Sequence, residues 1–132
     1  MKILIRLLLA ALIVTTVACG YGSKNYTPTA GAVPAISQLS PGSAPAGGAD
    51  FTMIVNGSNF GSKAVVNWNG APQSTTAFVT GNQLTVAIPA AMIATSGDAQ
   101  ITVTNPGTTG NNMYGSGGTL PETSTPMTFT IN

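Results

Sequence analysis

The chain has 132 residues, room for one domain once an N-terminal leader is set aside, and it carries only four cations and three carboxylates. It has no histidine and a single cysteine. An internal disulfide is therefore excluded, and metal hydrolysis or a base-activated nucleophile lacks its usual residues. Lys2 and Arg6 lie in the leader, so the remainder sets Lys24 and Lys63 against Asp50, Asp98 and Glu122, a net charge of −1 with no basic patch for nucleic acid.

Residues 1–18, MKILIRLLLAALIVTTVA, have a cationic start, an unbroken apolar run from Leu7 to Val14 and then small residues. This is the layout of a secretory signal. A membrane-spanning anchor is the competing reading, but Ile3 to Ala18 is 16 residues with Arg6 inside, and a helix needs ~20 apolar residues to span a bilayer. Cys19 follows in Thr16-Val17-Ala18-Cys19-Gly20. The segment resembles a bacterial lipoprotein lipobox, with Thr16 where that pattern usually has Leu. The resemblance implies that Cys19 is acylated, becomes the new N-terminus and holds the chain to a membrane in the cell envelope. In two-membrane bacteria, Gly20 after the cysteine implies delivery to the outer membrane. Without acylation, the protein would be secreted. Residues 20–33, GYGSKNYTPTAGAV, are small and polar, so residues 19–33 are expected to form a flexible, lipid-anchored tether.

Residues 34–132 alternate in the period-2 manner of strands. Pro34 to Pro41 holds a first short strand anchored by Ile36 and Leu39. Phe51 to Asn56 comes next, with Phe51, Met53 and Val55 on the inner face, and Asn56-Gly57 is expected to break it. Ala64 to Asn69 places Val66 and Trp68 on one face, before the tight-turn pair Asn69-Gly70. Ser74 to Val79 carries Phe78. Leu84, Val86 and Ile88 alternate up to Pro89, and Ala90 to Thr95 is expected to make one helical turn. Ala99, Ile101 and Val103 form another strand, stopped by Pro106. Met127, Phe129 and Ile131 form the last. About seven short strands between Gly, Pro and Asn turns predict an all-β sandwich or small barrel. One long connection, between Pro106 and Pro126, stands out as functional or disordered.

Several segments together resemble the IPT/TIG family of immunoglobulin-like domains: Ile36-Ser-Gln-Leu-Ser-Pro41, Ala46-Gly-Gly, Phe51 to Val55, Asn56-Gly-Ser-Asn-Phe60, Val66-Asn-Trp-Asn-Gly70, Leu84-Thr-Val-Ala-Ile-Pro89 and Ile101-Thr-Val-Thr-Asn105. The resemblance spans residues 34–132 and implies an immunoglobulin-like β-sandwich of the early-set type in an extracellular setting. The family carries no catalytic motif, and no cofactor or metal ligand is implied.

Catalysis finds little support, because Asp50, Asp98 and Glu122 are scattered and a paired-carboxylate mechanism would need two of them to meet. Trp68 could stack on a sugar, with Asn67 and Asn69 beside it, but its phase with Val66 also suits a core position. Met113-Tyr114, an apolar and aromatic pair in the long loop, is either a ligand contact or a cover for the sandwich end. Two functions follow from these residues. The first is a lipid-anchored envelope module that presents its domain to a protein or matrix partner. The second is a carbohydrate-binding accessory domain using Trp68 or Tyr114. Their partners would be the membrane through acylated Cys19 and an unidentified protein or polysaccharide.

Overall fold

Strand β3 (Phe51–Ser58) lies inside the first of two sheets, between β1 (Ala35–Ser40) and β7 (Gln83–Ile88), with β6 (Ala77–Thr80) outside β7. The computed structural model describes residues 28–110 and 117–132. The leader and Cys19, like Met113 and Tyr114, lie outside them. The second sheet runs in the order β2 (Ser43–Ala44), β10 (Met127–Ile131), β8 (Gly97–Asn105), β4 (Val65–Trp68), β5 (Ala71–Pro72), and β9 (Glu122–Thr123) pairs with the end of β8. The two sheets face each other as an all-β, immunoglobulin-like sandwich. Seven of the ten strands have four residues or more, in agreement with the count from alternation; β2, β5 and β9 have two each.

The core follows the period-2 pattern. Met53 and Val55 of β3 and Leu84, Val86 and Ile88 of β7 are buried from one sheet. Val66 and Trp68 of β4, Ile101 and Val103 of β8 and Phe129 of β10 are buried from the other. Phe129 joins the layers: its ring stacks on Phe51 at 5.7 Å between centroids and lies tilted against Trp68 at 5.3 Å. Such aromatic pairs contribute about 0.5–1.5 kcal/mol beyond the area they bury. Between Ser40 and Ser43 the chain leaves the first sheet and joins the second, where β2 pairs parallel with β10. That crossing closes one side of the sandwich.

Three local expectations need correction. The strand does not break at Asn56-Gly57, because β3 continues to Ser58. Gly57 is required there for close approach: a Cβ would overlap the Ala35 carbonyl and come within 2.6 Å of the Phe60 ring. The turn comes two residues later, where Asn59 takes a φ of 59°. The strand expected over Ser74 to Val79 is shorter, because residues 73–76 cover the outer edge of β4. Gln73 N donates to Val66 O at 2.8 Å, and Val66 N donates to Thr76 Oγ1 at 3.1 Å. Phe78 pairs across from buried Leu84, yet at the outer strand it remains 43% exposed. The helical turn is a 3-10 helix over Ala90–Ile93, narrower than expected, with Ile93 buried and Ala90 N donating to Asp50 Oδ1 at 2.7 Å. At Asn69-Gly70, φ values of 49° and 84° make the two-residue hairpin turn as expected.

Strand direction defines two poles. One carries the turn after β3, the Gly81-Asn82 turn and the end of β8, joined where Phe60 N donates to Gly81 O and Gly61 N to Asn105 Oδ1. The other carries the loop before β3, the 3-10 helix and the C-terminus, joined where Ala46 N donates to Asn132 O and Gly47 N to Ile93 O.

Candidate functional site

The first pole is organised by Asn105, the last residue of β8. Its Nδ2 donates to Asn59 O at 2.7 Å and to Ala32 O at 2.8 Å, while its Oδ1 accepts from Gly61 N at 2.8 Å. One amide therefore fastens the turn after β3 and the segment before β1 to the end of the second sheet. Beyond it the chain forms a small extension of three segments. Thr29 bridges Thr119 in parallel, and Thr108 bridges Thr119 in antiparallel. Thr29 N donates to Gly118 O, Leu120 N to Thr29 O and Thr108 N to Thr119 O, each at 3.0 Å. Gly107 and Gly118 permit this spacing, since a Cβ on either would run into backbone of the facing segment.

The expected tether over residues 19–33 is thus corrected at its C-terminal end. Residues 28–33 are a strap bonded to the domain, not a flexible link. The two described ends of the long connection after Pro106 pair with each other and with the strap.

Strap, turn and extension enclose an open cleft of about 670 Å³ whose lining includes Ala32, Ser62, Lys63, Thr109 and Leu120. Its chemistry is that of hydroxyls, backbone amides and one ammonium against an apolar wall. Such a surface can hold a polar or weakly anionic group, and it supplies no acid–base pair. Among the described residues there is no group of three or more His, Cys, Asp or Glu able to hold a metal ion. Asp50 and Asp98 stand at the opposite pole from Glu122.

Trp68 lies in the core, as its phase with Val66 suits, and offers no sugar platform: it is 6% exposed and packs on Phe129. Its neighbours are committed as well. Asn67 Nδ2 donates to Thr104 Oγ1 at 2.9 Å and Thr102 Oγ1 at 3.1 Å across the sheet, and Asn69 Oδ1 accepts from Gln100 N at 2.8 Å. Met113, Tyr114 and Cys19 lie outside the described residues. The residue that sequence reasoning missed is Asn105. Its signals were the end of the Ile101-Thr-Val-Thr-Asn105 segment and an Asn at a strand end before Pro106, which reads as ordinary turn chemistry.

The profile of the IPT/TIG domain matches residues 34–121. The chain belongs to the IPT/TIG family. IPT/TIG domains are non-catalytic immunoglobulin-like modules, and membership points to an immunoglobulin-like interaction module. The matched stretch ends at Pro121, yet the IPT/TIG sandwich here is completed by β10, whose Phe129 and Ile131 are buried against β8. No curated protein matches the chain.

Proposed function

We propose that the protein is a lipid-anchored module of the cell envelope. It carries one IPT/TIG domain, held through acylated Cys19 and presented to a protein or matrix partner. The observation that carries this reading is the strap. The chain arrives at one pole and is bonded there by Asn105 and Thr119, which leaves the loops of the other pole at the end away from the attachment. A single acyl chain holds a protein only marginally, whereas two or more hold it stably. The test is the intact mass of protein recovered from host membranes beside a Cys19→Ser variant. A species beginning at Cys19 with added acyl mass, absent and released from membranes in the variant, is the expected result. An unacylated species in the medium would overturn the reading.

The cleft favours a second reading, a carbohydrate-binding accessory module that uses the hydroxyl-lined pole in place of Trp68. Titration with envelope oligosaccharides would show binding that Lys63→Ala weakens. Binding unchanged in that variant would count against the cleft.

A further inference from the structure

The strap also limits how the domain can stand on a membrane. Thr29 runs parallel to Thr119, and Thr119 runs antiparallel to Thr108, which continues outward from β8. The chain therefore enters the domain from beyond the Asn105 pole, at the outer side of the three-segment extension. Between Cys19 and Pro28 stand eight residues, Gly20 to Thr27, whose fullest reach is ~30 Å at ~3.3–3.6 Å per residue. The nine residues of β8 span ~30 Å at ~3.4 Å per residue, and the extension adds about three residues more, ~10 Å. An upright, inverted domain, with its far pole on the bilayer, would need ~40 Å of link and exceeds that reach.

The chemistry of the two poles agrees with this limit. Of the four large apolar side chains most exposed among the described residues, Val33 at 54% and Leu120 at 48% belong to the strap pole. Lys63, the one lysine or arginine among the described residues, lines the same cleft as Leu120. Half-buried Glu122 is at this pole too. The far pole carries exposed Asp50 and Asp98. Exposed apolar side chains and a cation at one pole suit the headgroup layer of an anionic bilayer, and carboxylates are repelled from it. Within a Debye length of about 8–10 Å, that polarity orients a domain already held nearby.

We propose that the strap pole is a lipid-contacting surface, with Val33 and Leu120 at the phospholipid interface and Lys63 facing headgroup phosphates. The loop before β3 and the 3-10 helix then face away from the membrane. The inference rests on the acylation of Cys19 proposed above. The test uses the full mature chain in vesicles of phosphatidylethanolamine and phosphatidylglycerol, with acylation established first by intact mass. An environment-sensitive probe is placed on Leu120→Cys or, at the far pole, on Ala91→Cys, and quenched by a lipid carrying its quencher at the headgroup. Severalfold stronger quenching at position 120 is the expected result. Equal quenching, or stronger quenching at position 91, in an acylated chain overturns this inference and leaves the anchoring intact. A chain that carries no acyl group overturns both. Val33→Cys repeats the comparison should Leu120→Cys fail to fold.

Discussion

Asn105 shows how much one side chain can organise. Its amide satisfies three backbone groups from two separate segments, one of them 73 residues away in sequence. Each such bond contributes about 0.5–1.5 kcal/mol net, and an orphaned backbone group costs more. Asn105→Ala is expected to lower stability by about 2–3 kcal/mol on that scale, measured by denaturant unfolding. The exchange of the Thr29 and Leu120 amides should accelerate further than that of the β3 amides, because the strap opens before the sandwich does. Uniform acceleration would mean that the strap is not a separate unit. Gly57 is the other residue with no substitute. Gly57→Ala places a Cβ into the Ala35 carbonyl and the Phe60 ring, and overpacking of this kind costs about 1–3 kcal/mol. An unchanged melting temperature would show that β1 and β3 do not approach as described.

At the scale of elements, β3 is the sharpest test of register. Met53 and Val55 are fully buried, while Ile54 on the opposite face is half-buried and pairs with Ser40 and Thr85. Val55→Asp buries a charge with no partner and is expected to unfold the domain, a loss of ~4 kcal/mol or more. Ile54→Thr should cost ~1 kcal/mol, the part of its apolar area that the neighbouring strands cover. Thermal melts of the two variants decide it: a larger loss from Ile54→Thr would place the strand one residue out of register. Alternation made β3, β7, β8 and β10 legible from the sequence, because each has one face against the core. β6 was less so. Its four residues are all exposed, because it lies at the outer edge of the sheet, where Phe78 has no buried face to fill.

For the molecule as a whole, closure depends on the last strand. β10 pairs with β8 along five residues and with β2 in parallel, and it brings Phe129 between the two sheets. Truncation of residues 125–132 is therefore expected to abolish cooperative unfolding, although the removed stretch lies past the end of the family match. Circular dichroism against denaturant would check this, and a sigmoidal transition in the truncated chain would assign the last strand a peripheral part. Loss of a strand that joins both partners of a sheet removes long-range contacts no local segment can replace. The same long-range character explains why the site was less legible than the fold. The strap, the turn after β3 and the end of β8 are far apart in sequence, and none has a pattern that names the others.

Local chemistry alone determined the all-β class, the inner faces of the long strands, the Asn69-Gly70 turn and the paucity of catalytic residues. These follow from side-chain alternation and from the few residues that tolerate positive φ, both properties of short stretches. Tertiary structure decided the rest. Asn56-Gly57 became strand because two neighbouring strands claim its backbone, and Trp68 turned inward because Phe129 waits across the core. Residues 28–33 became a strap because Asn105 and Thr119 offer partners to an otherwise featureless polar segment. In each case the deciding group lies at least 18 residues away along the chain, and only the folded arrangement brings its hydrogen bonds and packing to bear.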